Sequence, residues 1–396
     1  MTSNQRTKFT INELCFVQNG YAFKSNEYVS ENENTYEVVK MGHIQPGGGL
    51  KKMPKTDFVP KTEKLKRWVL EKGDIIMAMT DMKDNVVILG NPALIDRDDY
   101  YVLNQRVARI KLKRNDLVDS NFFYFQLKWP EFIANLQSKA NSGVQVNLTT
   151  EAIKNSIINV PPLPTQKQIG LTLKLFEDKI DLLHQQNKTI KELAELLFEN
   201  YFLKKRSPGS EEKPLDEIAD FLNGIACQKY PPKEGFSTLP VIKIKELNSG
   251  ITEASDLATS DVPSKYLVHN GDILFSWSGS LELVFWSGGE GVLNQHLFKV
   301  TSDHYPEWLY YLWINHYLSS FRDIASDKAT TMGHIQRHHL SQAKVLIPNK
   351  DDLIKLNEQM GPLFNKLKSN SLQINTLNYL RDLLLPKLMT NDVQIN

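Results

Sequence analysis

The side chains best suited to chemistry in this sequence lie in loops, and their spacing matches no known catalytic motif. The glycine-rich segment 42–52 lacks the Gly-Lys-Ser/Thr ending of a phosphate-binding loop, and neither a dinucleotide fingerprint nor a zinc-protease motif occurs. His334 and His338 stand four residues apart, with His339 adjacent, a spacing that can present two metal ligands. No third ligand is evident nearby, so solvated or groove-facing histidines are favoured over a metal site. The sequence therefore predicts neither a catalytic residue nor a bound metal.

Basic stretches and neighbouring amides point to nucleic acid instead. Segment 40–72 carries nine Lys and Arg against three acids, and segment 106–114 carries five with none. Lys and Arg contact phosphates and position a protein on a duplex, whereas Asn, Gln and Arg can contact base edges bidentately. Basic runs alone are more often solvated surface, so the amides beside them carry the hypothesis. The candidate readers are Asn104, Gln105, Gln145 and Asn147, with Asn294, Gln295, Gln336 and Arg337 interpreted as their second-half equivalents.

Two loops that follow the Gly-Asp-Ile motifs at 73–75 and 271–273 are further candidates for DNA contact. Segment 78–85 is polar and Met-rich, and segment 276–280 reads Ser-Trp-Ser-Gly-Ser. Hydroxyl groups suit phosphate oxygens or base edges, and loops on a rigid scaffold commonly carry binding. An ordinary hairpin turn fits these loops nearly as well. The remaining predicted DNA contacts are Lys24, Thr80, Lys83, Arg106, Lys139, Ser276, Ser278, Ser280, His296, Lys328 and His334.

Two similar halves must position these residues, because short motifs return in the same order along the chain. Val-Gln-Asn-Gly at 17–20 returns as Phe-Leu-Asn-Gly at 221–224. Leu-Asn-Gln-Arg-Val at 103–107 returns as Leu-Asn-Gln-His-Leu at 293–297. The offset between matching residues drifts smoothly from 204 to about 187, as shorter loops in the second half would produce. The sequence therefore predicts an internal duplication.

Each half predicts the same order of elements. Apolar runs such as 86–89 and 107–112 are typical of strands. Aromatic-rich helices are predicted over 121–137 and 306–321. Each half then closes with a strand that stops at proline, which cannot donate to a sheet ladder and so marks a natural boundary.

A long helix with an apolar stripe follows each boundary. Its apolar residues alternate spacings of three and four, the pattern of a coiled-coil seam, and Asn187 occupies a seam position where a buried polar residue fixes register. Two such stripes in one chain most simply pair with each other, antiparallel; the alternative is that each helix packs on its own domain. The residues predicted to pair are Phe176, Ile180, Leu183, Asn187 and Ile190 in the first helix, with Leu363, Leu367, Ile374 and Leu377 in the second.

The predicted fold class is α/β (α+β), with two similar globular domains and two long antiparallel coiled-coil helices related by a pseudo-two-fold repeat. The predicted boundaries are 1–162 for the first domain, 163–206 for the first helix, 207–349 for the second domain, 350–390 for the second helix and 391–396 for a tail. The chain has 396 residues, which suffices for two or three cores.

Composition limits the class of protein further. The net charge of +1 argues against a chain that is basic along its length but permits local basic faces. The two cysteines, Cys15 and Cys227, fit neither a disulfide framework nor a zinc spacing, so a reducing cytosol is expected. No apolar stretch approaches the roughly 18 residues of a membrane span.

Taken together, these motifs resemble the specificity subunit of Type I restriction–modification enzymes, over essentially the whole chain. The resemblance rests on the Asn-Gly start of each half, the Gly-Asp-Ile strand, Leu-Asn-Gln, and the exit into a heptad helix, repeated once. The first exit, Pro-Thr-Gln-Lys-Gln at 164–168, lacks the acid that the family often shows, and the second exit at 348–351 is further degraded. We expect this departure to alter helix capping or subunit contacts and to leave the architecture unchanged.

The resemblance implies that each globule is a target recognition domain that reads one half of a bipartite, asymmetric site on double-stranded DNA. The helical rod sets the spacer, with half-sites about 34–36 Å apart if both globules face the same side of the duplex. It also implies that this chain binds no cofactor and does no chemistry. Two modification subunits would methylate adenine with S-adenosylmethionine, and restriction subunits would add translocation and cleavage driven by ATP and Mg²⁺. The complex would be cytoplasmic.

Two other readings remain. The first is a pseudo-symmetric scaffold that holds protein partners and touches no DNA, which the near-neutral charge favours. The second is an enzyme with an unrecognised site at His334 and His338.

Overall fold

The computed structural model describes residues 6–83, 86–142, 145–204, 208–327 and 333–390. The chain forms two compact units: unit 1 is Met1–Asp178 with Leu380–Asn396, and unit 2 is Lys179–Tyr379. None of the helices in these described ranges combines the length and apolar character needed to cross a bilayer.

Unit 1 is built from short strands and helices. Its strands are β1 (Thr7–Thr10), β2 (Cys15–Asn19), β3 (Thr35–Val39), β4 (Phe58–Pro60), β5 (Ile75–Ala78), β6 (Thr80–Met82), β7 (Pro92–Leu94), β8 (Tyr101–Leu103), β9 (Val107–Leu112), β10 (Asn141–Ser142), β11 (Gln145–Asn147) and β12 (Ile157–Val160). Its helices are α1 (Ile11–Leu14), α2 (Ser120–Lys128), α3 (Pro130–Ser138), α4 (Thr150–Lys154) and the start of α5 (Leu163–Phe198).

Unit 2 repeats this plan after the end of α5, which closes in a π-helical turn, Glu199–Lys204. Its strands are β13 (Glu211–Pro214), β14 (Asp220–Asn223), β15 (Thr238–Ile242), β16 (Leu257–Thr259), β17 (Leu267–Val268), β18 (Ile273–Ser276), β19 (Leu283–Phe285), β20 (Gly291–Leu293), β21 (Leu297–Thr301) and β22 (Lys344–Ile347). Its helices are α6 (Leu215–Ile218), α7 (Ile244–Ser249), α8 (Glu307–Asp327), α9 (Arg337–Gln342) and most of α10 (Lys350–Thr390).

The main sheets of the two units share one strand order, and one of them has an additional strand, β17, in unit 2. The order β2-β9-β5-β7 in unit 1 corresponds to β14-β21-β18-β19 in unit 2, and β4-β3-β8 corresponds to β16-β15-β20-β17. The pairs β3–β8 and β15–β20 are both parallel. In each unit the first strand also pairs with the last, β1 with β12 and β13 with β22. This shared topology confirms the predicted internal duplication.

The core of unit 1 lies between its sheet and α2, where Phe122, Phe123 and Phe125 are at most 2% exposed. The single helix predicted over 121–137 is wrong: it is α2 followed by α3. Trp129 between them has extended backbone, because Pro130 disfavours a helical conformation in the residue before it. In unit 2 the corresponding helix, α8, is continuous, and its Trp308 is 1% exposed.

The apolar run 86–89 is not a strand, contrary to the prediction. The buried carboxylate of Asp81 accepts hydrogen bonds from the backbone amides of Val87, Ile88 and Leu89, at 2.7, 2.6 and 3.1 Å. A chain that directs three consecutive amides at one carboxylate must curl around it and cannot extend. The run is therefore a loop fastened to β6, although Ile88 and Leu89 are buried as a strand would bury them.

The two long helices pair antiparallel within unit 2, as predicted. Ile180 and Leu183 of α5 pack with Ile374 of α10, and Leu377 adds to this cluster. One step further along α5, the amide of Asn370 donates to Asn187 Oδ1 at 2.9 Å. The predicted pairing residues Leu367 (buried), with Ile190 and Leu363 (half-buried), continue this face, and Phe176, also half-buried, lies in the part of α5 that belongs to unit 1.

The apolar seam predicted at the end of α5 is displaced by one residue. The alternating spacing of three and four in the sequence of the first helix continues to Leu197 and Tyr201 and predicts them as seam positions, but Phe198 and Phe202 are the buried residues, each 4% exposed. Their rings pack on Trp313 of α8, with centroid distances of 4.8 and 5.7 Å. Packing against the core of unit 2, and not packing against α10, thus determines which side chains are buried at the end of α5.

Candidate nucleic-acid interface

Three segments of unit 1 converge on one surface: the chain after β5, the turn after β8, and β11. The amide of Met79 donates to the Arg106 carbonyl at 3.0 Å, and the Met79 carbonyl accepts from Leu148 at 2.8 Å. The Thr80 hydroxyl donates to Asn147 Oδ1 at 2.9 Å. We name as surface 1 the residues Met79, Thr80, Gln105, Arg106 and Asn147.

Unit 2 brings the equivalent three segments together with the same hydrogen bonds. The amide of Trp277 donates to the His296 carbonyl at 3.4 Å, and the Trp277 carbonyl accepts from Ile335 at 2.9 Å. Ser278 forms a β-bridge with His334, as Thr80 pairs with Asn147 in unit 1. We name as surface 2 the residues Trp277, Ser278, Gln295, His296 and His334.

Two of the residues that the two units share in these segments, a glycine and an asparagine, are scaffold. A Cβ atom on Gly20 would lie 2.1 Å from the Leu103 carbonyl oxygen, and one on Gly224 would lie 2.3 Å from the Asn294 carbonyl oxygen. The repeated glycine is therefore required by a close approach of two backbones.

Asn104 and Asn294 belong to the same scaffold. Their side chains are 9% and 3% exposed, and each amide oxygen accepts from the backbone amide two residues on, at 3.1 Å to Arg106 and 3.2 Å to His296. An asparagine held this way stabilises the turn that presents its neighbours. We therefore retain Gln105, Arg106, Gln295 and His296 as contact candidates and assign the two asparagines to the turn.

His334 is the unit 2 counterpart of Asn147. Thr80 pairs with Asn147 through β6 and β11, and Ser278 bridges His334. The sequence-based pairing of Asn147 with Arg337 is therefore wrong, because unit 2 is shorter between these segments than residue types alone indicated.

Gln336 and Arg337 begin α9 and serve structural contacts. The Gln336 amide donates to His339 Nδ1 at 3.0 Å, and Thr149 occupies the equivalent cap position before α4. The Arg337 guanidinium donates to the Phe221 carbonyl at 3.2 Å. Gln336 is consequently the counterpart of Thr149 and not of Gln145. Both Gln336 and Arg337 are exposed, so phosphate contact by either remains a prediction.

The serines of the 276–280 loop are mostly occupied. Ser276 is fully buried; its hydroxyl donates to the Ser280 carbonyl at 2.7 Å and accepts from the Glu282 amide at 2.7 Å. Ser278 is 3% exposed and contacts His296 Nδ1 at 3.1 Å. Ser280 is exposed. The hydroxyls of Ser276 and Ser278 thus shape the loop.

Surface 2 contains an aromatic cluster that the sequence-based predictions of the site do not include. The ring of Trp277 lies 5.7 Å from that of His296 and 6.1 Å from that of His334. Its Nε1 donates to Asn223 Oδ1 at 3.0 Å and to the Gln295 carbonyl at 3.1 Å. A tryptophan between two serines in a short polar loop was the available signal, since loops seldom need so large a side chain for packing.

The remaining residues predicted to contact DNA do not belong to surface 1 or surface 2. Lys24, Lys83 and Lys139 are exposed, and Gln145 is half-buried in β11. Lys328 lies outside the described residues. Within the described ranges, no group of three or more His, Cys, Asp or Glu side chains is placed to hold a metal ion.

Ion pairs reduce the charge that the basic stretches offer to a ligand. Lys40 pairs with Asp57 at 2.6 Å, and Lys111 pairs with Glu71 at 2.6 Å. Hydrogen bonding and charge from Lys111 lower the pKa of the Glu71 carboxyl. Counting residues along the sequence therefore overstates the positive potential, whereas Arg106 is exposed on surface 1 with no guanidinium partner in the described part of the chain.

Comparison with known proteins identifies the class that this fold and these surfaces define. The family model described as Type I restriction modification DNA specificity domain matches residues 5–192 and again 208–378. The chain therefore belongs to this family and carries two copies of its domain. Its function is DNA sequence recognition in a Type I restriction–modification complex.

Individual relatives agree. The chain is 25% identical over 358 residues to the Type I restriction enzyme MjaIX specificity subunit of Methanocaldococcus jannaschii, covering 83% of this chain and 79% of that protein. It is 20% identical over 411 residues to the HindI specificity subunit of Haemophilus influenzae, covering 82% and 87%. Among solved structures, the Type I restriction–modification S subunit from M. genitalium has the same fold, with a TM-score of 0.60, 16% identity, and coverage of 98% and 97%.

Proposed function

We propose that unit 1 reads one half of a bipartite, asymmetric DNA site through surface 1, and that unit 2 reads the other half through surface 2. The supporting observation is one scaffold that carries different side chains in its two copies. Arg106 is replaced by His296, and Asn147 by His334, at positions with matching backbone hydrogen bonds. Base edges are discriminated by the donors and acceptors that face them. Different side chains on the same frame therefore suit two different half-sites.

The helix pair would set the distance between the half-sites. The pairing of Asn187 with Asn370, and of Ile180 with Ile374, gives the two helices a defined register. Half-sites about 34–36 Å apart would present the same side of the duplex to both surfaces. The unspecified spacer in the DNA site is then a property of helix length, separate from base recognition.

Partner subunits would bind the outer side of α5. Leu182 and Leu196, both in the part of α5 that belongs to unit 2, are 47% and 62% exposed. Their spacing in multiples of seven aligns them on one side of the helix, away from the seam residues Ile180 and Leu183. Exposed leucines in such a row are suited to burial against apolar helices of another protein. We assign this row to two modification (methyltransferase) subunits, with restriction subunits joining the complex.

The chemistry would belong to those partners. We propose that this chain is not itself an enzyme, that S-adenosylmethionine, ATP and Mg²⁺ bind the partner subunits, and that the complex acts in the cytoplasm. Because ion pairs such as those of Lys40, Lys61 and Lys111 neutralise part of the positive charge, the partners would also supply much of the basic surface that holds the duplex.

A domain exchange tests the modular assignment. Residues 1–160 are replaced by those of a relative with another target, and the methylated motif of the host is determined by sequencing that detects methyladenine. We expect one half-site to change while the other half-site and the spacer stay the same. A change in both half-sites, or in neither, contradicts the proposal.

Insertion of one heptad after Asn187 tests the spacer assignment in the same assay. We expect a longer spacer between unchanged half-sites, and an unchanged spacer would refute the role of the helices. A gel-shift with the modification subunit present tests the scaffold alternative. A DNA complex that weakens steeply with salt rules that alternative out.

A further inference from the structure

We propose that Gln295 is the residue of surface 2 that reads an adenine base, and that His296 and Ser278 hold its side-chain amide in the reading orientation. The proposal rests on the proposed function, in which surface 2 contacts one half-site. It adds to that function a named reader, the base that it recognises and the two residues that position it.

The three side chains form a continuous chain of contacts. Gln295 Nε2 lies 3.4 Å from His296 Nε2, and His296 Nδ1 lies 3.1 Å from the Ser278 hydroxyl. Gln295 and His296 are half-buried, while Ser278 is 3% exposed. The chain therefore begins at a buried hydroxyl and ends at an amide on the surface.

Donor and acceptor roles along this chain follow from the orientation of the Gln295 amide. An amide nitrogen only donates, so His296 Nε2 must accept, and the neutral imidazole carries its proton on Nδ1. That proton is donated to the Ser278 hydroxyl oxygen. If the amide hydrogen on the side away from the oxygen is the one committed to His296, Gln295 retains the other N–H and its side-chain carbonyl oxygen side by side, and these are the two groups that would face the base.

A neighbouring donor and acceptor on one amide match the major-groove edge of adenine. Its N7 accepts the amide N–H while its N6 amino group donates to the amide oxygen. Guanine presents two acceptors there, O6 and N7, so the amide oxygen would face a like group. The arrangement therefore favours adenine over guanine at one base pair.

Trp277 makes this reader rigid. The indole Nε1 donates to the backbone carbonyl of Gln295 at 3.1 Å, which fixes the turn that presents the side chain, and the indole ring packs along the ring of His296, the residue that orients the Gln295 amide, with an interplanar angle of 33°. A side chain fixed before binding loses less conformational freedom when it meets its base. Arg337, an alternative reader, uses one NH₂ group of its guanidinium to bond the Phe221 carbonyl at 3.2 Å.

Unit 1 offers a matched comparison at the same turn. Gln105 precedes Arg106, and a guanidinium has no acceptor for an amide hydrogen. Gln105 is exposed and lacks the imidazole that would orient it. Both units thus carry a glutamine amide at this turn, and it is oriented by a neighbouring imidazole in unit 2 but not in unit 1.

The test uses the full chain reconstituted with its modification subunit. Methylation rates are measured on duplexes in which each base pair of the unit 2 half-site, identified by the domain exchange, is changed in turn. We expect Gln295→Ala to reduce the preference for one A·T pair by about 5- to 150-fold, the range of one bidentate contact. Preferences at the other pairs, and in the unit 1 half-site, should be unchanged. Gln105→Ala is the control and should leave the unit 2 half-site unaltered.

Two further variants test the positioning residues. His296→Phe keeps a ring against Trp277 but removes both nitrogens, and we expect it to weaken the preference at the same base pair only. Ser278→Ala should act in the same direction, whereas Ser278→Thr, which places the hydroxyl residue of unit 1 there, should retain the wild-type preference. Thermal melting confirms that each variant is folded.

The outcomes separate this proposal from the proposed function. An unaltered profile in Gln295→Ala, or a lost preference at a G·C pair, overturns the reader assignment. A uniform loss at every base pair in His296→Phe overturns its positioning role. If the wild-type complex shows no sequence preference at all, the proposed function itself fails.

Discussion

Asp81 gives the sharpest test of how this fold builds a contact surface. Its side chain is 3% exposed and ties the 86–89 loop to β6, directly beside Thr80 of surface 1. One carboxylate oxygen accepts three backbone amides between 2.6 and 3.1 Å, and the other accepts the Met82 amide at 2.8 Å. Asp81→Asn keeps the size of the side chain but removes its charge and replaces one acceptor with a donor.

The size of the effect follows from these four contacts. A hydrogen bond to a charged group contributes about 1.5–3 kcal/mol and a neutral one about 0.5–1.5 kcal/mol, so losing the charge costs roughly 1 kcal/mol for each amide that still finds an acceptor. At least one amide then faces the new NH₂ group and is left unpaired, which costs about 1–3 kcal/mol more. The loop should therefore lose about 4–6 kcal/mol of local stability.

Hydrogen–deuterium exchange of the peptide that contains Val87, Ile88 and Leu89 measures this loss directly. Since about 1.4 kcal/mol corresponds to a factor of ten, exchange at these amides should accelerate by at least about 100-fold. Asp99→Asn is the matched control, because the Asp99 side chain is 67% exposed and its partners, the Lys61 ammonium and the Tyr36 hydroxyl, lie outside the 86–89 segment. Asp81→Asn, unlike the control, should also weaken recognition of the unit 1 half-site. Unchanged exchange at these amides in Asp81→Asn would refute the view that the carboxylate curls this segment.

Two other predictions concern buried polar groups. Asn370 is fully buried, and its Oδ1 has no partner among the described residues. Asn187→Leu alone should lower the melting temperature by removing the 2.9 Å acceptor, while the double variant that adds Asn370→Leu should be more stable than wild type by about 1–3 kcal/mol; a double variant less stable than the single one would contradict this. Burial raises the pKa of the Cys15 thiol to about 12 and also raises that of Cys227, so thiolate is scarce at pH 8. Intact mass should show no iodoacetamide adduct on native protein at pH 8, labelling that accelerates as the pH rises, and two adducts in denaturant.

The sequence was most informative where a pattern is local or repeated. Periodic apolar residues predicted both long helices, and repeated short motifs predicted the duplication that the matching sheets confirm. Sequence patterns failed where one side chain outside the segment determines the backbone conformation of that segment. Nothing in the composition of 86–89 distinguishes a strand from a loop that curls around Asp81, because both bury the same apolar residues.

The candidate site shows the same division. Matching residue types made Arg337 the unit 2 counterpart of Asn147, whereas backbone pairing makes His334 that counterpart. A single sequence gives no information on which residues lie opposite each other across strands, so it does not reveal a short difference in loop length. Trp277 was missed for a related reason: its importance lies in contacts with two turns that are distant in sequence.

Symmetry between the units separates positioning from reading in a way that neither unit does alone. Gly20 and Gly224 are identical because a Cβ atom would collide with a carbonyl oxygen at 2.1 or 2.3 Å, a constraint that holds whatever DNA is bound. Arg106 and His296 differ although their carbonyls accept equivalent hydrogen bonds, so the backbone does not require either side chain. What the backbone leaves unconstrained is available for selection by the DNA target. Residues that differ at matched backbone positions, and not simply the polar or basic ones, are therefore the positions at which exchange between the two units should transfer specificity.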